Sequence, residues 1–187
     1  EPDVIAFDMG GTTAKTCLVE KGMPKMTDQY FIGGYQHGHP MRLPVVDIIE
    51  VGAGGGSMAW IDEGGSLKVG PRSAGSTPGP ACYGRGGTEP TVTDANLVTG
   101  RLNPHRFLGG EFDLDLKLAT QAIEQRIAKP LGLSVMDAAL GILRIADAKM
   151  SFAVRAITMQ RGYDPRKFAM VVFGGGGPLH GMAIARA

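Results

Sequence analysis

Cysteine is scarce in this chain. The two present, Cys17 and Cys82, lie far apart and outside any CxxC or Cys/His ligand spacing, so no disulfide framework is expected, and a reduced, cytoplasmic protein is. A surplus of one charge is also lacking: 19 basic against 18 acidic side chains leave a formal net charge of +1. With no basic block along the chain, nucleic acid is not an expected partner. No uninterrupted apolar run approaches the roughly 18–20 residues that a membrane span needs. The opening Glu1-Pro2-Asp3 has none of the features of a signal peptide.

Glycine is what the chain has in abundance, 29 of 187 residues, about twice the usual ~7% share. Because 43% of the residues are hydrophobic, this is a folded chain in which glycine serves backbone geometry, not a linker. The length suits one core. The chain opens on a strand-like run and stops at Ala187 inside a helix-like one, as a piece of a longer protein would.

Val4 to Asp8 and Lys15 to Glu20 are β-rich runs joined by a Gly/Thr turn, and they predict a hairpin. The stretch from Lys21 to Pro44 is irregular. Val45 to Val51 reads as a strand, Gly52 to Gly56 interrupts it, and Ser57 to Asp62 and Leu67 to Val69 read as a pair of strands. Gly70 to Gly87, extending to about residue 90, is too rich in Gly and Pro for a regular element and is expected to be an ordered, functional loop.

The second half is helical. Leu116, Ala119, Ile123, Ile127 and Leu131 recur at i+3/i+4 spacing up to Gly132. Ser134 and Asp137 resemble a capping box opening a long helix, with Val135, Ala139, Ile142, Ala146, Met150, Ala153 and Ile157 as its apolar stripe. Asp137, Arg144, Asp147, Ser151 and Arg155 are assigned to the opposite side, and Gly162 to the helix end. Phe168 to Phe173 reads as a strand, Gly174 to Gly177 as a sharp turn, and Pro178 as the first residue of a final helix. Strands, then helices, then strand and helix make a layered α/β domain.

Two glycine-rich bends carry chemistry. In Asp8-Met9-Gly10-Gly11-Thr12-Thr13 the glycines let backbone N–H groups approach an anion, the threonines add hydroxyl donors, and a carboxylate at a strand end can hold Mg²⁺ through water. A plain hairpin turn would use similar residues. A Walker loop does not fit, because Met9 and Ala14 stand where its glycines belong. Gly54, Gly56 and Ala59 match a dinucleotide fingerprint only formally, since an extended run follows them. The second bend, Phe173-Gly174-Gly175-Gly176-Gly177-Pro178, is a strand-to-helix turn able to take a flat ring or a phosphate at the positive end of a helix dipole. Two such bends suggest two edges of one nucleotide cleft.

Asp-x-Gly-Gly-Thr-Thr between paired strands, with Phe-Gly-Gly-Gly-Gly before a later helix, resembles the actin-like ATPase superfamily. The stretches "GAGGGSMAWID", "VGPRSAGSTPGPACYGRGGTEPTVTDANLVTGRL" and "RGYDPRKFAMVVFGGGGPLHG" resemble the hydantoinase A/oxoprolinase family across nearly the whole chain. That resemblance implies a ribonuclease-H-like, actin-type ATPase lobe with a mixed sheet and packed helices. It implies ATP and Mg²⁺ as cofactors, with Asp8 beside the metal, Gly10, Gly11, Thr12 and Thr13 on the β/γ-phosphates, and Gly174, Gly175, Gly176 and Gly177 against adenosine. Many members carry an acidic residue where Lys15 stands, so Lys15 is a departure; a lysine near phosphates is chemically sensible.

By the same resemblance, residues 1–187 form the second lobe of a two-lobed enzyme. The first lobe, a second subunit and an oligomeric full-length form are expected as partners, and a cyclic amide as substrate. The implied reaction is ATP-dependent opening of that amide through phosphorylation of its oxygen. A ketone carboxylase subunit and a nucleotide-dependent module without small-molecule chemistry are the alternatives. The chain alone is expected to be catalytically inactive.

Other residues stay open at this level. Asp94 is either a catalytic carboxylate or the cap of a helix through Ala95 to Leu97. Arg72, Ser73 and Arg85 on the Gly/Pro loop either meet substrate or are solvated. His37 and His39 lack a third ligand for a metal site. His180 either faces nucleotide or is an ordinary helix residue. Cys82 has no neighbouring base to activate it.

Overall fold

The computed structural model describes residues 3–28, 30–32 and 38–187. Its centre is a mixed five-stranded sheet. Strand β1 (Val4–Met9) lies between β2 (Ala14–Glu20), antiparallel to it, and the last strand of the chain (Ala169–Phe173), parallel to it. The other edge of β2 carries Met23–Pro24 and, further along, β3 (Ile49–Val51). Strict alternation drives β1: Ile5, Phe7 and Met9 are buried, while Val4, Ala6 and Asp8 on the opposite face are only half-buried. β4 (Ser57–Ile61) and β5 (Leu67–Ser73) form a separate hairpin.

Helices pack on one face of the sheet. α1 (Val92–Val98) follows the Gly/Pro loop; α2 (Leu116–Ile123) continues through a π-helical turn at Glu124–Ala128 and Lys129–Leu131. Gly132, with φ 64°, ends it in the left-handed conformation that glycine adopts without strain. α3 (Val135–Ile157), capped by the Ser134 hydroxyl accepting from the Asp137 N–H, lays Ala138, Ala139, Ile142, Leu143, Ala146 and Met150 against Phe7, Met9 and Ala14. Alanines at the contact let this helix approach the sheet closely, and each fully buried Ile, Leu or Met contributes roughly 1.5–3 kcal/mol. The strand Ala169–Phe173, β6, leads into α4 (Gly177–Ala185).

The hairpin, the long helix and the final strand-turn-helix have the expected form, and several details differ. α3 ends at Thr158, and Gly162 (φ 83°) instead closes a short 3₁₀ turn at Met159–Arg161. Asp147 and Ser151 are not on a solvent face: Ser151 is buried and Asp147 half-buried, on the side that α4 shares with α3. The expected strand 45–51 is two, with Val45–Val46 pairing Met26–Thr27 and β3 joining the main sheet. β5 continues to Ser73, with a register shift after Val69. The irregular segment holds a further two-stranded pair, Tyr30–Ile32 with His39–Met41. A second small core, Tyr83, Leu97, Phe107, Phe112 and Leu114, has no counterpart in the expectation. α4 starts at Gly177, so Pro178 is its second residue.

Candidate functional site

The two bends leave the sheet from adjacent strands. β1 and β6 pair in parallel with Asp8 opposite Phe173, so the residues that follow each, Gly10–Thr13 and Gly174–Gly177, emerge at one edge of the sheet. They touch. The N–H of Gly176 donates to the carbonyl of Met9 at 2.9 Å. Gly174, at φ 80°, lies so close to the first bend that a Cβ there would overlap Asp8 Oδ1 and stand 2.6 Å from the Met9 carbonyl oxygen. Gly176 abuts the Met9 thioether, with Sδ 3.0 Å from its Cβ position. Gly174 is required for this close approach, and at Gly176 a side chain would have to displace the Met9 thioether.

Gly10 and Gly11 differ. Both are exposed, neither has a left-handed φ, and a Cβ on either meets nothing within 4 Å. Packing does not demand glycine there, and the lack of a side chain leaves the backbone open. Among the described residues, none accepts from the N–H groups of Gly11, Thr12 and Thr13. Gly175, across the bends, is likewise exposed and unobstructed. Unpaired amides beside a helix N-terminus form an anion-receptive surface.

A third glycine segment supports the first bend from beneath. The N–H groups of Gly55 and Gly56 donate to the carbonyls of Gly10 (3.0 Å) and Gly11 (2.6 Å), and the N–H of Ala74 donates to Gly56 O at 2.8 Å. A Cβ on Gly54 would fall 2.6 Å from the carbonyl carbon of Thr12. Gly52–Gly56, which looks in the sequence like an interruption between strands, is the platform on which Gly10–Thr13 rests. The glycine density itself was the signal. Through Ala74, the start of the Gly/Pro loop adjoins this platform.

The side chains sort as follows. Asp8 is half-buried at the junction of both bends. Lys15 Nζ donates to Thr13 Oγ1 at 2.9 Å and pairs with Glu50 Oε1 at 3.4 Å; both charges are about half exposed, so this pair contributes at most about 1 kcal/mol. Among the described residues no cluster of three or more His, Cys, Asp or Glu side chains could hold a metal. A cation at Asp8 would therefore take one carboxylate from this chain and fill its shell with water and ligand oxygens, as Mg²⁺ does. His39 is exposed on its short strand, and His37 lies outside the described residues.

Asp94 is the third residue of α1, whose N-cap is Thr91, so it does not precede the helix as expected but closes its capping box, and its burial does not favour the reading as a catalytic carboxylate. It is completely buried, accepts from the N–H groups of Cys82 (2.8 Å), Ala81 (3.2 Å) and Thr91 (2.8 Å) and from the Thr91 hydroxyl (2.8 Å), and closes the capping box of α1. Neither of its oxygens reaches solvent. Burial, with Asp94 as a second cause, pushes the Cys82 thiol well above its ordinary range, which makes it inert. Arg85 stacks over Phe112 at 4.9 Å and Arg72 over Trp60 at 5.8 Å, so both guanidinium groups have partners on the protein. His180 is fully buried and faces Asp147 and Asn96, not the mouth of the bends.

A concavity lies elsewhere, between the C-terminal part of α3, Tyr163–Phe168 and the last residues of α4, and brings together none of the bend residues. Among the described residues no helix is long and apolar enough to cross a membrane.

The family model described as hydantoinase/oxoprolinase matches residues 1–187. The chain is 45% identical to the alpha subunit of caprolactamase from Pseudomonas jessenii, over 98% of this chain and 26% of that protein. It is 43% identical to the gamma subunit of acetophenone carboxylase from Aromatoleum aromaticum, over 95% of this chain and 24% of that one. The crystal structure of the ATP-dependent caprolactamase from Pseudomonas jessenii superposes with a TM-score of 0.88 at 43% identity, covering 98% of this chain and 26% of that chain. The chain spans about a quarter of the length of these two curated relatives.

Proposed function

The chain belongs to the hydantoinase/oxoprolinase family, and on that premise we propose that it is the nucleotide-binding lobe, of ribonuclease-H-like actin type, of an ATP-dependent enzyme that opens cyclic amides. The observation that carries this reading is the contact between the bends: Gly10 and Gly11 open and exposed, Gly174 against Asp8, and Gly175 facing the same edge. In this assignment the N–H groups of Gly11, Thr12 and Thr13 receive the β/γ-phosphates, and the Thr12 and Thr13 hydroxyls add donors. Lys15 supplies a positive charge beside Thr13, and Gly174 to Gly177 pack against the adenosine. Asp8 would hold Mg²⁺, and the ion would supply charge neutralisation on the phosphates, the usual bulk of phosphoryl-transfer catalysis along with positioning. ATP-dependence in the related caprolactamase supports this use of the bends.

An amide resists hydrolysis because resonance weakens its carbonyl as an electrophile. Transfer of the γ-phosphoryl to the amide oxygen forms a P–O bond there as the bond to ADP breaks. That removes the resonance and leaves a carbon open to water. Water adds there, the ring C–N bond breaks as the nitrogen takes a proton, and the acyl phosphate so formed is hydrolysed to carboxylate and phosphate. The exposure of Gly10, Gly11, Thr12 and Gly175 supports a cleft whose opposite wall is a first lobe, and the subunit names of the relatives support a partner polypeptide. The second reading, a ketone carboxylase subunit using the same lobe, is favoured by the likeness to the acetophenone carboxylase gamma subunit.

Phosphate release from ATP by the full-length protein separates the two. A cyclic amide that stimulates turnover and is itself opened supports the hydrolase. Stimulation only by a ketone with bicarbonate supports the carboxylase. ATP turnover equal with and without every small substrate overturns both.

A further inference from the structure

α1 is a seven-residue helix with an unusual interior: Thr93, Asp94 and Asn96 are all buried, at 8%, 0% and 2% exposure. Burying polar side chains is unfavourable unless each finds a partner. Here each finds one on a different segment, with Asn96 Oδ1 left without a hydrogen bond among the described residues. Thr93 Oγ1 and N–H donate to the Gly55 carbonyl at 2.9 and 2.8 Å, and the Gly55 N–H donates to Gly10 O, on the phosphate-side bend. Asp94 holds the Gly/Pro loop through the N–H groups of Ala81 and Cys82. Asn96 Nδ2 donates to His180 Nε2 at 3.1 Å, on the first turn of α4 directly behind Gly177. His180, fully buried, has its Nδ1 2.5 Å from Asp147 Oδ1 on α3. With Nε2 accepting from Asn96, the ring proton sits on Nδ1 toward Asp147.

Residues three apart share a helix face, so Thr93 and Asn96 lie on one edge of α1 and bond the two segments that adjoin the bends, Gly55 behind Gly10 and His180 behind Gly177. The sheet already fixes the roots of the bends, through the pairing of β1 with β6. We propose that α1 fixes their spacing: Asn96, with His180, and Thr93, with Gly55, are positioning residues that hold the adenosine side and the phosphate side at the separation one nucleotide requires. This rests on the nucleotide reading of the bends.

The test is displacement of a fluorescent ATP analogue from the full-length protein by ATP, by adenosine and by tripolyphosphate. Removing a buried hydrogen bond to His180 in Asn96→Ala is expected to weaken ATP about tenfold. Adenosine and tripolyphosphate, each needing only one side, stay within about twofold of wild type, because a single bend needs no set spacing. Thr93→Val, nearly isosteric, weakens ATP about threefold, and Thr93→Ser restores it; these two decide the matter should Asn96→Ala not fold. Folded variants that bind ATP like wild type, or that lose all three ligands in parallel, overturn the positioning role. Wild-type protein that binds neither the analogue nor ATP overturns the nucleotide reading itself, a distinct result.

Discussion

Gly174 stands against Asp8 with no room for a side chain between them: a Cβ on the glycine would overlap the Asp8 carboxylate oxygen and press on the Met9 carbonyl. Residues from opposite ends of the chain thereby share one wall, because β6 pairs with β1 in parallel.

Two glycine substitutions are expected to behave differently. Gly174→Ala meets backbone and carboxylate at a φ of 80°, and is expected to lower stability by about 2–4 kcal/mol in urea unfolding. Gly10→Ala meets nothing within 4 Å, and is expected to change stability by less than about 1 kcal/mol, the ordinary range for an unstrained exposed site. Its effect appears instead in Mg–ATP affinity, which falls at least about tenfold as the methyl group blocks the anion's approach.

Asp94→Ala leaves the N–H groups of Ala81, Cys82 and Thr91 without their acceptor in the interior. A loss of about 3 kcal/mol is expected, from several buried donors left unpaired. Limited proteolysis supplies a second readout: the Gly/Pro loop, tied down by this carboxylate, becomes the first site of cleavage.

The thiols give a pH prediction. Cys82 is raised by burial and then by Asp94, and Cys17 by burial and then by Asp47, from an ordinary value of 9.0. In the unfolded chain both ionise near that value, while in the folded chain the proton is held to higher pH. Their contribution to stability is therefore complete below about pH 9 and declines above it. Urea midpoints falling from pH 9 to pH 10 would show this, with Cys82 reacting with Ellman's reagent only on unfolding.

Lys15 pairs with Glu50 across two half-exposed side chains. Glu50→Gln is expected to leave stability within about 0.5 kcal/mol. Lys15→Met, in contrast, is expected to weaken Mg–ATP binding several-fold and to reduce its salt dependence, since one positive charge is removed from the phosphate side.

The local elements were legible because their signals are local. Alternation in Val4–Met9, the capping pair Ser134 and Asp137, and four glycines ahead of Pro178 each specify one element without reference to the rest. What the pattern did not carry is long-range. Gly52–Gly56 supports the first bend only through hydrogen bonds to Gly10 and Gly11, which no spacing encodes. Asp147 and Ser151 fall outside the apolar stripe of α3 and so looked exposed, but α4 folds back over that side and His180 gives Asp147 a partner. The burial of Asn96 and His180 against each other was equally invisible, since they come from helices far apart in the chain.

Hydrogen–deuterium exchange of the full-length protein, with and without Mg–ATP, tests most directly whether both bends hold one nucleotide. Slowed exchange is predicted in peptides spanning Gly10–Thr13 and, at the same ATP concentration, in peptides spanning Gly174–Gly177. Protection confined to one of these segments, or appearing in neither, would contradict a shared site.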